Sequence, residues 1–238
     1  MSAGGDTSQP PRRGSAVLHA ALRATALAAG PILLGLILAG LLLMAFGKDP
    51  LAYYGYVLQR GLLSPTGVQQ TLTRMAPLLF IAAGLIVAFR AGIWNLGVDG
   101  QFLLGAVAAA ASAPVMIGLL PGWAVLIAAA TLSALVAALW ALLPALLRAY
   151  QGVNEIITTL MMSFLGLSLA NALVKLVFLD PATTVPQTRT LPVADRLPRL
   201  FGTTISSGLV LGLIAIALVH LMMTRTAFGL KLRVVGAS

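Results

Sequence analysis

The sequence predicts an all-α, polytopic integral membrane protein, and three observations lead there. Only 9% of the 238 residues are Asp, Glu, Lys or Arg, while 59% are hydrophobic. A soluble domain carries about 25% charged residues, so so few could not cover a water-facing surface. The apolar residues gather in uncharged runs near or above the roughly 20 residues of a helical span. These runs also lack the alternation over about 10 residues that marks barrel strands. Mean hydropathy of +0.99 agrees. A soluble enzyme, a disordered chain and a disulfide-framework domain are excluded.

Each element follows from the runs. Residues 1–23 read as a cytoplasmic tail, Ser/Gly/Pro-rich at its start and expected to be disordered. Residues 24–238 read as one transmembrane domain. Residues 24–47 are uncharged and form the first span; at 24 residues the run exceeds the apolar core of an export signal. Residues 75–89, extended back over 71–74, make the second. Residues 100–147 hold 48 residues without a charge, too long for one helix. Pro121-Gly122 divides them into spans three and four. Residues 156–174 make the fifth, and the sixth lies within 200–224.

Six spans place both termini on one side. With that side cytoplasmic, eight basic residues fall inside (Arg12, Arg13, Arg23, Arg90, Arg148, Arg225, Lys231 and Arg233) and six outside (Lys48, Arg60, Arg74, Arg189, Arg196 and Arg199), with Lys175 near the outer boundary. The two long outer segments are distinctive. Residues 48–74 carry Tyr53, Tyr54 and Tyr56, which suits an interfacial helix with aromatic anchors. Residues 180–202 carry Pro181, Pro186, Pro192 and Pro198, which suits a stiff surface loop, either a connector or a docking surface.

The net charge of +9 is not a nucleic-acid signal, because the basic residues stand singly at span ends rather than in clusters. No cysteine is present, and His19 and His220 have no metal-ligand spacing. No catalytic constellation and no metal site is expected. His220, near the end of the sixth span, reads as a hydrogen-bonded interfacial residue.

Polar residues among spans are costly and therefore informative. Asn95-Leu96-Gly97-Val98-Asp99-Gly100-Gln101 sits between two apolar runs with almost no spacer. Gly92, Gly97 and Gly100 argue against a regular helix through it. It is either a broken helix beside a polar pathway or a cytoplasmic turn. Further on, Asn154 suits a helix cap and Glu155 the first turn; Glu155, Thr159 and Met162 share one helical face. On the pathway reading, Asn95, Asp99, Gln101, Asn154, Glu155 and Thr159 surround one polar cavity. After the sixth span, Arg225, Lys231 and Arg233 form a basic membrane exit, with Gly229 and Gly236 permitting a turn away from the helix. Residues 106–113 are nearly all small and allow close helix packing.

In order and spacing these three clusters resemble the permease subunits of bacterial ABC importers in the branched-chain amino acid and simple-sugar group. The nucleoside-type permeases, which work with a basic-membrane-protein-type lipoprotein receptor, are the nearest likeness. That subfamily shows Asn-Ile-Gly-x-Glu-Gly-Gln, matched by residues 95–101 with Leu96 and Asp99 as departures. Its Asn-Glu-Val-Ile-x-Thr-Leu-Met-Leu-Asn is matched by residues 154–162, with Ser163 in place of the last Asn. Its Thr-x-x-Gly-x-x-Leu-Arg-Ala-Val-Gly exit is matched at Thr226, Gly229, Leu232, Arg233, Val235 and Gly236, with Val234 in place of Ala.

The resemblance implies a pore-forming subunit in the bacterial inner membrane, without catalysis or cofactor of its own. The solute would be a nucleoside or a simple sugar; a branched-chain amino acid permease and an ion-coupled secondary transporter are the alternatives. It implies cytoplasmic ABC ATPase subunits, a second permease subunit, an extracytoplasmic solute-binding lipoprotein and the lipid bilayer as partners, and no nucleic acid. Coupling to the ATPase would run through Thr226, Gly229, Arg233 and Gly236. Members of the group continue well past this motif, so the chain reads as the N-terminal two-thirds of such a subunit. Residues 226–238 are then expected to lead into the ATPase contact without containing all of it, the docking helix starting beyond them.

Overall fold

The computed structural model describes the backbone of residues 13–237 and the side chains of residues 27–237. Its described residues form eight α-helices and no β-strand: α1 (Arg13–Ala45), α2 (Pro50–Leu58), α3 (Pro65–Arg90), α4 (Val98–Met116), α5 (Gly122–Gln151), α6 (Glu155–Leu176), α7 (Gly208–Arg225) and α8 (Ala227–Val235). Six are long and apolar enough to cross a membrane: Leu27–Ala45 within α1, and all of α3, α4, α5, α6 and α7. The chain is a multi-pass, all-α membrane protein. Residues 1–12 of the expected tail lie outside the described residues, and from Arg13 onward the backbone is helical.

The chain divides after Gly67 into two compact units. In the first, α1 ends in a Schellman turn. Gly47 takes φ +69°, its N–H bonds Met44 O, and Lys48 N–H bonds Leu43 O, both at 2.9 Å. Asp49 then caps α2, accepting from Leu51 N at 2.9 Å, and Pro50 occupies the first helical position where no N–H is needed. The tyrosine-bearing segment is thus a short helix, as its composition predicts. Tyr54 lies over Gly40 and donates its hydroxyl to Leu36 O at 2.6 Å, tying α2 to α1. A π-helical turn, Gln59–Leu63, leads from α2 to Ser64.

The second unit holds the other helices. Pro121 starts α5 immediately after a short turn in which Gly118 has φ +86°, so the 48-residue apolar run breaks where expected. Helices α4, α5 and α6 pack on one another around Leu104, Val107 and Ala170, with a second cluster of Ala113, Val125 and Ala129. Water cannot drive helix association inside lipid, so close approach of small residues carries the packing. The proline-rich segment between α6 and α7 is irregular except for a single 3-10 turn, Val193–Asp195. It is pinned by Leu191 against the second cluster. At its far end Gln69 Oε1 of α3 accepts from Thr204 N at 3.0 Å and from its hydroxyl at 2.9 Å.

Candidate functional site

The connection from α3 to α4 carries most of the polar chemistry. Helix α3 ends in a second Schellman turn: Gly92 has φ +74°, its N–H bonds Phe89 O at 3.1 Å, and Ile93 N–H bonds Ala88 O at 3.0 Å. The chain then runs irregularly to Gly97. Irregular backbone among spans must find partners in protein or water. Asn95 Oδ1 accepts from Gly97 N at 2.9 Å, closing a local turn. Both main-chain groups of Leu96 are held by α6. Its N–H donates to Thr159 Oγ1 at 3.1 Å, and its carbonyl accepts from Ser163 Oγ at 2.8 Å. Thr159 and Ser163 are one helical turn apart, and both are buried.

Beyond Leu96 the two helices nearly touch. A Cβ on Gly166 would lie 2.6 Å from Gly100 Cα and 3.1 Å from Trp140 Nε1. A Cβ on Gly100 would lie 2.8 Å from Met162 O. Trp140 of α5 completes the joint by donating its indole N–H to Met162 O at 3.1 Å. Gly100 therefore does not break a helix. It sits inside α4 and serves contact with α6, a correction to the expectation that all three glycines keep the segment irregular.

Among the six predicted pathway residues, Asn95 and Gln101 form an amide pair, with contacts of 3.3 and 3.4 Å between their side chains. They line a groove of about 870 Å³ between α3, α4, α5 and the start of α7. Thr73, Ser133 and Ser206 add hydroxyls, Phe80 and Phe102 add aromatic faces, and no charged residue lines it. Thr159 stands behind this segment: its hydroxyl accepts from Leu96 and donates to Glu155 O at 2.6 Å. Asp99 lines a separate cavity of about 400 Å³ with Leu96, Ser163 and Phe164. Asn154 caps α6, accepting from Ile156 N at 2.9 Å. Glu155 pairs with Arg148 Nε at 3.4 Å. The structure thus joins Asn95, Gln101 and Thr159 around one segment and assigns Asp99, Asn154 and Glu155 other surroundings.

At the far end Thr226 caps α8. Its Oγ1 accepts from Gly229 N at 3.1 Å and donates to Met222 O at 2.6 Å. A helix therefore begins at Ala227, inside the motif. Gly229 is not a turn residue: it lies within α8, where a Cβ would come 2.6 Å from Met223 Cα of α7. Gly236 has ordinary right-handed φ and abuts the end of α3, where a Cβ would lie 2.8 Å from Gly92 N and still closer to Arg90 O. Arg233 Nε contacts Gly229 O within α8 at 3.4 Å.

The profile of the family described as "Branched-chain amino acid transport system / permease component" matches residues 67–238. The chain belongs to this permease family. It is 32% identical over 209 residues, 82% of its length and 54% of the relative's, to a glucose ABC transporter permease protein of Haloferax volcanii. It is 27% identical over 207 residues, 82% of its length and 56% of the relative's, to a nucleoside ABC transporter permease protein of Lactococcus lactis. A guanosine ABC transporter permease protein of Bacillus subtilis is 29% identical over 177 residues, 71% of this chain and 49% of the relative. The chain thus spans about half the length of these curated relatives. No solved structure matches it significantly.

Two roles in this permease component escaped sequence reasoning. Ser163 entered only as a departure from a family motif, yet it holds Leu96 O. Ser133, opposite Gly105 across α4 and α5, contributes a groove hydroxyl. The spacing of Thr159 and Ser163 on one α6 face was the available signal for the first; nothing local distinguishes the second.

Proposed function

We propose that this chain is a membrane-spanning permease subunit of an ATP-driven importer of a neutral polar solute, a nucleoside or a simple sugar. The groove beside Asn95 and Gln101 is its share of the pathway. The observation that carries the reading is the character of that lining: paired amides, hydroxyls and aromatic faces with no charge. Amides and hydroxyls match sugar hydroxyls and base edges, and an aromatic face suits the apolar side of either. An amino acid brings an ammonium and a carboxylate, and a coupling ion brings a bare charge; each needs charged or dipolar partners when it leaves water. The uncharged lining therefore favours the nucleoside or sugar reading over those two alternatives.

Thr159 positions the segment, Asp99 faces an adjoining cavity, and Asn154 with Glu155 sets the start of α6. Cytoplasmic ABC ATPases supply the energy, a second permease subunit completes the pathway, and a solute-binding lipoprotein delivers the solute. The subunit lies in the bacterial inner membrane with both termini cytoplasmic, and α8, through Thr226, Gly229, Arg233 and Gly236, leads toward the ATPase. Vesicle uptake by the complete complex tests the reading. Asn95→Ala should lower ATP-dependent uptake of labelled nucleoside or glucose about 5- to 12-fold, the value of one lost charge-free hydrogen-bonding site at about 1–1.5 kcal/mol, while the subunits still co-purify. Undiminished uptake in that variant would remove the groove from the pathway.

A further inference from the structure

A second cavity, of about 540 Å³, lies where α3, α7 and α8 end together. Its polar rim is Arg90, His220, Thr224 and Arg233, and Ile86 and Ile216 belong to its apolar wall. We propose that it binds the phosphate headgroup of an anionic phospholipid, with the acyl chains running along the apolar wall.

Charge is the first argument. Arg90 and Arg233 come from different helices and line one cavity. The described carboxylates are Asp49, Asp99, Glu155, Asp180 and Asp195, and none of them lines it. Among the described residues the ion pair is Arg148–Glu155, so neither guanidinium has a carboxylate partner among them. Two guanidiniums lining one space offer an anion two charged donors from different helices. A phosphate fits, because its oxygens accept the paired N–H groups that each guanidinium presents.

Position is the second argument. Arg90 is the last residue of α3, and Arg225 the last of α7, so the cavity opens at a span boundary. Phe89 and Trp94 flank this boundary with ring centroids 5.6 Å apart, and Trp94 is 58% exposed. Exposed aromatic rings at span ends sit at headgroup level in a bilayer. A half-apolar, half-basic cavity at that level matches an amphiphile with a phosphate head better than a free anion. Basic pockets between helices at a membrane surface bind such headgroups. The bound lipid would bridge α3 to α8 close to the Gly92–Gly236 contact.

Native mass spectrometry of the full chain, extracted from nanodiscs of phosphatidylcholine with a minority of phosphatidylglycerol, tests the site. Wild type should retain phosphatidylglycerol over phosphatidylcholine. Each basic side chain near an anionic surface contributes about 5-fold, so Arg90→Gln with Arg233→Gln should lower that preference about 30-fold. Arg225→Gln, at the same boundary but outside the cavity lining, should lower it by no more than about 5-fold, as for any single surface charge, well short of the double variant. Millimolar inorganic phosphate should not displace the lipid. Equal retention of the two lipids by wild type would overturn the proposal whatever the variants do. So would undiminished preference in the double variant, or full displacement by inorganic phosphate, which would make the site one for a free anion.

Discussion

The α4–α5–α6 block and the α3–α7 pair both rely on glycine to bring helices together, yet they differ in what each glycine meets. Gly100 and Gly166 face each other backbone to backbone, with Trp140, Thr159 and Ser163 adding hydrogen bonds across the same joint. Gly212 of α7 meets the Leu79 side chain of α3. The polar links between α3 and the start of α7 lie at one end, through Gln69, Thr73 and the residues just before α7. The groove lies between these two regions. One wall joins backbone to backbone with hydrogen bonds across the joint; at Gly212 the other closes on Leu79 Cβ and the Ala76 carbonyl of α3.

The largest expected effect separates the two seams directly. In Gly166→Ala the new methyl would lie 2.6 Å from Gly100 Cα, and neither backbone can move without breaking the Trp140 and Ser163 bonds. A loss of about 3 kcal/mol or more is expected, the upper range for overpacking. In Gly212→Ala the methyl meets Leu79 Cβ at 2.9 Å and Ala76 O at 3.3 Å, so α3 and α7 must part there; about 2 kcal/mol is expected, the middle of the range for overpacking. Unfolding midpoints in mixed micelles titrated with dodecyl sulfate compare the two. Equal losses would mean that the seams are equally stiff.

Much of this arrangement is legible in the sequence, and the boundary of what is legible has a physical cause. Span positions follow from composition, because a bilayer penalises every charge locally and so each run announces itself. Asn154 capped the expected helix because capping depends on residues two or three apart. The partner of Thr159 is 63 residues away, and that of Ser163 is 67 away; no local pattern specifies such pairings. Gly100 and Gly229 read as breakers because glycine is flexible in isolation. In the fold each is a helical residue whose missing side chain admits another helix, and that use depends on a neighbour the sequence does not name.

A smaller effect dissects the fixed wall. Thr159→Val removes the acceptor of Leu96 N–H, and Ser163→Ala removes the donor to Leu96 O. A buried main-chain group left unpaired costs about 1–3 kcal/mol, against about 0.6 kcal/mol for an average hydrogen bond between membrane helices. Access to water decides which figure applies. Leu96 and Ser163 border the 400 Å³ cavity, whereas Thr159 does not. Thr159→Val should therefore lose about 2 kcal/mol and Ser163→Ala under 1 kcal/mol in the same titration, because water in the cavity can replace the serine. The reverse order would place the dry side of the segment at Ser163.

The smallest effect belongs to the Arg148–Glu155 pair. The Glu155 side chain is 15% exposed, which invites the view that its charge is structurally important, but its partner Arg148 is 53% exposed. Water screens that end of the pair, so its contribution is bounded by the value of surface ion pairs, at most about 1 kcal/mol. What Glu155 gives the fixed wall is its main-chain carbonyl, which accepts from Thr159 whatever the side chain carries. Asn154 continues to cap α6 as well, since its bond runs to Ile156 N. Glu155→Gln, which also removes a first-turn charge from the helix dipole, should therefore shift stability by no more than about 1 kcal/mol, and added salt should move wild type by a similarly small amount. The same variant weighs on transport. In an ion-coupled carrier a partly buried carboxylate on α6 would be a natural ion site, and its neutralisation would abolish uptake. With the solute in an uncharged groove that Glu155 does not line, uptake by the complete complex should persist in Glu155→Gln and remain dependent on ATP. Loss of uptake with the fold intact would move the functional carboxylate to α6 and take the groove out of the leading role.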